Sequence, residues 1–258
     1  MKLTIERLLE KGMDLAGNQI VTDLRIGLGY TAVEVSYRDV GLAYTFSHDI
    51  SRRCTAVKET GEITGRSAKE LLGWMRKGDL LSTAIGLATL NALLQPYLPE
   101  SLGKDFLQFL NMGPNDRVGM VGFFPPLIQP IRRRCGELLI FERQINRGKG
   151  LLGPEEIRSR MPDCSIVILT ATTLINQTFD QITRHIGGAR EAVLLGPSAP
   201  LLPDIFEKTP ITYLGGIQMI DGKKSLQIVS EGGGTPRLMN SGSVKKIVVA
   251  SKTSFLGI

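Results

Sequence analysis

The chain has 258 residues, 42% hydrophobic and 22% charged, a balance that excludes a disordered polypeptide and allows more than one core to be buried. Its formal charge of +6 comes from 31 Lys and Arg against 25 Asp and Glu. The basic residues fall in short scattered runs (Arg52-Arg53, Arg132 to Arg134, Lys223-Lys224, Lys245-Lys246) without interleaved aromatics, which favours a solvated surface or an anionic small ligand over nucleic acid.

The opening stretch MKLTIERLLEKGMDLAG interleaves charges with apolar residues, unlike the continuous apolar region of a signal peptide, and no run approaches membrane-spanning length. Three cysteines (Cys54, Cys135, Cys164), odd in number and far apart, argue against a secreted disulfide framework. A cytoplasmic protein is expected, and its oligomeric state, including a homo-oligomer, stays open.

Within Thr4 to Ala16 the apolar Ile5, Leu8, Leu9, Met13 and Leu15 fall at helical spacing, ahead of a break at Gly17-Asn18. DLRIGLGYTAVEVSY then reads as one extended segment and VGLAYTF as a second, paired with it across Arg38-Asp39 in a hairpin. Ser67-Ala68-Lys69-Glu70 has capping-box spacing, so a helix should start there and end near Gly78. DLLSTAIGLATLNALLQPY is apolar on nearly every face and reads as a buried helix that stops before Pro96. Asn91 inside it is either a satisfied structural amide or a ligand contact.

Leu102 to Asn111 reads as a linking helix, and the boundary between a first module (1–100) and a second (101–258) is placed near residue 100. Beyond it, short apolar strands alternate with helices or loops: VGMVGFF, ELLIFE, a helix begun by Pro154-Glu155-Glu156, SIVILT, a helix at Phe179 to Ile186, EAVLLG and ITYLGG. This pattern means a Rossmann-like α/β parallel sheet covered on both faces. Three strands run straight into loops of Gly, Pro, Thr, Ser or Asn, and in a parallel sheet such loops cluster at the carboxyl ends of the strands, where ligands bind.

The first of these strands ends at Gly122 and the next in Glu142, at the interval where dinucleotide-binding folds place an acid on a ribose hydroxyl. The glycine fingerprint is replaced by Phe123, Phe124, Pro125 and Pro126, so a standard NAD or FAD site is disfavoured. A planar or nucleoside-like ligand stacked on Phe123 or Phe124 competes with plain core packing. Thr172, Thr173 and Asn176 place hydroxyls and an amide after the third strand, suited either to an anion or to helix capping. In GPSAPLLPD, Gly196 and Pro197 present Ser198 at a turn, but the Gly-x-Ser-x-Gly elbow is absent, and a hydrogen-bonding loop is the better reading than a nucleophile. The only histidines are His48 and His185 and no Cys-x-x-Cys occurs, so metal candidates are limited to His48 and Cys54, close together in SHDISRRC. EGGGTPRLMNSG reads as a mobile connection or an anion-binding nest before a last strand, KKIVVAS.

The segments RIGLGYTAVEV, VGLAYTF, AIGLATLNALL, VGMVGFFPPLI, LTATTLINQTFD, LLGPSAPLLPDIF and YLGG, in this order along nearly the whole chain, resemble a prokaryotic family described as "putative heavy-metal chelation". The resemblance implies an amino-terminal α+β domain similar to the amino-terminal domain of enolase, a Rossmann-like second domain, and a site between them. Carried over by motif, Asn91 faces that cleft from the first domain. Gly122, Phe123, Glu142, Thr172, Thr173 and Asn176 face it from the second, with Gly196, Pro197 and Ser198. The expected function is binding of an anionic, metal-complexed or nucleoside-like small molecule. Its competitors are a metal-handling protein with a bound metal ion, and a transferase or lyase with Glu142 as acid or base.

Overall fold

The computed structural model describes residues 2–50 and 55–251. Helix α1 (Thr4–Ala16) turns Ile5, Leu8 and Leu9 inward. Leu3 cannot cap it. Instead the Thr4 N–H and hydroxyl donate to the two carboxylate oxygens of Asp180, at 3.0 and 2.7 Å, so the first turn is held by a residue 176 positions away.

Strands β1 (Val21–Ile26), β2 (Tyr30–Val35) and β3 (Val40–Tyr44) form an antiparallel meander. The segment read from sequence as one extended run is therefore two strands. The Gly27 N–H donates back to the Tyr30 carbonyl at 2.9 Å, closing a turn that the continuous alternation of side chains concealed. The hairpin across Arg38-Asp39 is present, with Glu34 opposite Val40.

Helix α2 (Ala68–Gly73) starts where expected, with the Ser67 hydroxyl accepting from the Glu70 N–H at 3.2 Å. Only half of the capping box forms, because the Glu70 carboxylate pairs with Arg66 instead of reaching back. Helix α3 (Leu80–Leu94), capped by Asp79, has every residue but Leu80 buried. It lies directly on β3, since a β-carbon at Gly41 would come within 2.1 Å of the Ala88 carbonyl oxygen.

The second sheet has six strands: β4 (Arg117–Val121), β5 (Glu137–Phe141), β6 (Ile166–Thr170), β7 (Glu191–Leu195), β8 (Tyr213–Met219) and β9 (Val244–Ala250). Their order is β5-β4-β6-β7-β8-β9, parallel except for β9, which runs antiparallel to β8. The connections carry α4 (Pro125–Arg132), α5 (Ile157–Arg160), α6 (Thr172–Ile175), α7 (Phe179–Thr183), α8 (Pro203–Phe206), α9 (Gly222–Ser230) and α10 (Thr235–Asn240). The central strands are apolar almost throughout because both faces are covered.

Two sequence expectations need correction. Leu102 to Asn111 is not a helix: Leu102 and Gly103 pair with Val248 of β9 in extended form, and only a 3-10 turn at Phe106–Gln108 follows. The stretch Glu231 to Gly242 is not a loose connection, because Thr235–Asn240 is helical, with Leu238 buried among Tyr30, Ile217 and Val229. One apolar cluster runs from Leu8 and Leu87 to Leu169, Leu174 and Phe206, so the helices over the meander share a core with one face of the large sheet.

Candidate functional site

In the large sheet the first strand, β4, lies between β5 and β6. The two connections that leave it and its successor therefore diverge to opposite sides, the arrangement that opens a crevice beyond the carboxyl ends of the strands. The loops after β4, β5, β6 and β7 all border one cleft of about 1080 Å³, closed on the opposite side by Tyr30, Tyr44, Phe46 and His48 of the meander and the turn after it. That volume is slightly above the usual range for small-molecule sites, about 300–1000 Å³.

Gly122 ends β4 at φ +95°, a conformation that a side chain resists, and its N–H donates to the Phe141 carbonyl at 2.8 Å. The bend swings Phe123 and Phe124 onto the cleft wall, where both are half-buried. The Arg147 guanidinium sits over the Phe123 ring, 5.4 Å from its centroid. Glu142, immediately after β5, is only 11% exposed. One carboxylate oxygen accepts from the Gln144 N–H at 3.1 Å and the other is 3.5 Å from Arg147.

After β6 the Thr170 and Thr172 hydroxyls share a hydrogen bond of 3.0 Å on the wall of the cleft. The Thr173 hydroxyl is committed to the Thr170 carbonyl at 2.7 Å. Asn176 uses its side-chain oxygen to accept from the N–H and hydroxyl of Thr178, so its NH₂ is the group left for a ligand among the described residues. Local satisfaction thus accounts for Thr173 and half of Asn176, while Thr172, paired with Thr170, borders the cleft.

The loop after β7 is tied to the meander. The Gly196 N–H donates to the Gly215 carbonyl at 2.9 Å, and the buried Ser198 hydroxyl accepts from the Tyr44 N–H at 2.8 Å. The Asn91 NH₂ donates to the carbonyls of Leu42 at 2.8 Å and Ser198 at 3.3 Å. Asn91 does not border the large cleft. It lies behind Pro197, beside a void of about 10 Å³, and acts on the wall from outside. Gly196, Pro197 and Ser198 do border the cleft.

Several lining residues were missed from sequence. Tyr44 and Phe46 alternate along YTF and stack edge to face, 5.1 Å between centroids, a pattern legible only as strand periodicity. Arg143 sits 5.8 Å from the Phe46 ring and 3.5 Å from Asp49. Lys104, Thr235, Lys246 and His185 also face the cleft; their positions in sequence carry no motif.

A family profile described as "Putative heavy-metal chelation" matches residues 105–248, and a second with the same description matches 6–94. The chain belongs to this family. An uncharacterized protein of Methanocaldococcus jannaschii is 27% identical over 165 residues, 62% of this chain and 64% of that protein, so the chain spans less than two thirds of its curated relative. Among solved structures, a family protein of unknown function from Pyrococcus horikoshii superposes with a TM-score of 0.84 at 23% identity, covering 96% of this chain and 100% of its own. Another from Desulfitobacterium hafniense has a TM-score of 0.79 at 20% identity, covering 95% and 98%. Both establish the fold, a mixed α/β architecture with a mostly parallel sheet.

The family description raises a direct test of donor chemistry. Among the described residues no three His, Cys, Asp or Glu side chains converge as a ligand set for a metal ion. Burial pushes the Cys164 thiol up to about 11 and raises that of Cys135, so neither favours the thiolate that a soft metal requires. His48 is exposed at the cleft rim, and Cys54 lies outside the described residues. The described donors do not fit a heavy-metal ion held by the protein alone. No helix among them is long and apolar enough to cross a membrane.

Proposed function

We propose that this member of the family is a small-molecule-binding protein whose cleft takes an anionic ligand with a planar portion, either nucleoside-like or an organic complex of a metal. The observation that carries the reading is the convergence of four strand-end loops on one cleft at the point where strand order reverses. In this reading the Phe123 ring, backed by Arg147, stacks on the planar part. Glu142 accepts from a hydroxyl or amine, and Thr172 and the Asn176 amide donate to anionic oxygens. Gly122 and Gly196 let the backbone approach. A metal enters already complexed, which reconciles the family description with a cleft whose described residues offer no donor cluster.

The division into 1–100 and 101–258 belongs to the same proposal, supported by the change from an antiparallel meander to a parallel sheet; the cleft is then interdomain, and a cytoplasmic setting suits the free thiols. Native mass spectrometry of freshly purified protein identifies the co-purifying compound, and calorimetric titration of that compound reads the roles. Glu142→Gln and Phe123→Leu should each weaken binding by about tenfold or more, roughly 1.4 kcal/mol. Wild-type affinity in both variants would refute the assignment.

A further inference from the structure

The cleft is too wide for one small ligand to touch all of its walls. Glu142 adjoins the end of β5, at one edge of the sheet, and Lys246 lies in β9, at the other. Five inter-strand spacings of about 4.8 Å separate these strands, roughly 24 Å. Both residues nevertheless line the same cleft. A metabolite seated on Phe123 and Glu142 leaves the β8/β9 end empty.

That end has its own chemistry. The bridge between Gly103 and Val248 brings Lys104 beside the strand that carries Lys246, so two lysines border the cleft from adjoining backbones. Neither lysine has a carboxylate within salt-bridge distance among the described residues. The nearest acid in sequence, Asp105, also borders the cleft, and one of its carboxylate oxygens accepts from the Leu107 N–H at 3.0 Å. Lys246 is the register partner of Ile217, which packs in one cluster with Tyr30. The Tyr30 hydroxyl shares a 2.5 Å hydrogen bond with Thr235, and both line the cleft. Burial raises the Tyr30 phenol to about 12, so it remains a neutral donor at physiological pH. Gly215 and Gly216 also line the cleft.

The geometry points to a second binding station, separate from the switch-point station, in which Lys104 and Lys246 hold a small oxyanion, a phosphate or carboxylate group, with the Tyr30–Thr235 hydroxyl pair at its inner side. The inference goes beyond the reading of the switch-point ligand and rests on it only in taking the cleft to be open to solutes.

The test is titration of the full chain with inorganic phosphate and, in parallel, citrate, followed by calorimetry and by ¹⁵N chemical shifts of the Lys104 and Lys246 region. Saturable binding is expected, weakened at least tenfold in Lys104→Met and Lys246→Met and changed less than twofold in Glu142→Gln. Tyr30→Phe, which keeps the ring and removes the hydroxyl, should weaken it less than either lysine change. No saturable binding of either anion by the wild type, or wild-type affinity in both lysine variants, overturns the station. Equal loss in Glu142→Gln also overturns it, since the two stations would then be one. If the compound identified for the switch point proves insensitive to Glu142 and Phe123 while the anion follows the lysines, the function proposed above fails and the second station stands.

Discussion

Replacing Asn91 by leucine tests whether the loop after β7 is held from behind. The change keeps roughly the volume of the side chain and removes the two hydrogen bonds to the carbonyls of Leu42 and Ser198. Leaving a buried carbonyl without its donor costs about 1–3 kcal/mol, and with the longer bond contributing least a total near 3 kcal/mol is expected. For a chain of this size that corresponds to a fall in Tm of roughly 6–12 °C. The protein has one tryptophan, Trp74, only 3% exposed beneath the same helix layer, and its fluorescence reports the unfolding without a label. Asn91→Asp preserves shape more closely and replaces two donors with acceptors facing carbonyls, so it should destabilise at least as much. Thermal unfolding of both variants within 2 °C of wild type would sink the argument. A stabilised leucine variant would do so more pointedly, because it would show that the two hydrogen bonds do not hold the fold.

Two further expectations concern tethers outside the cleft. Asp180→Ala removes the acceptor for both donors of Thr4 and should cost about 1–2 kcal/mol, seen as faster amide exchange confined first to α1; uniform protection would contradict the capping role. Asp116 is held well below the usual carboxylate range, chiefly by its hydrogen bonds from Arg190 and also by those from Ser165 and the Gly113 N–H. A carboxyl depressed in the folded state stabilises above its unfolded pKa of about 3.9, and that contribution is lost as pH falls toward the folded value. Asp116→Asn should therefore flatten the decline of Tm from about pH 5 downward, and an unchanged acid limb would exclude Asp116 as a contributor.

The architecture was legible wherever it is local. Short apolar runs bounded by Gly, Pro and Thr marked β4, β6 and β7. Ser67 announced the start of α2, and the all-round apolarity of Leu80–Leu94 announced a helix buried on every side. The misreadings arose where neighbours in space override neighbours in sequence. Leu102 and Gly103 are extended because β9 lies beside them, and Thr235–Asn240 is helical because its Leu238 is buried between β2 and α9. A pattern read along the chain contains neither partner.

The candidate site divides in the same way. Gly122, Phe123, Glu142 and the Thr-rich loop could be singled out because a strand end followed by those residue types places them at the lip of a parallel sheet. Their convergence required the order β5-β4-β6, which depends on how the crossovers wind. Asn91 could be recognised as a buried amide needing partners, but its partners, 49 and 107 positions away, decide that it braces the wall instead of facing the cleft. Arg147 over Phe123, Arg143 over Phe46, and Lys104 beside Lys246 depend on separate loops meeting. Hydrophobic periodicity and capping are short-range and so are written in the sequence itself, whereas the charges and rings that give this cleft its chemistry are assembled by contacts that only the packed sheets bring together.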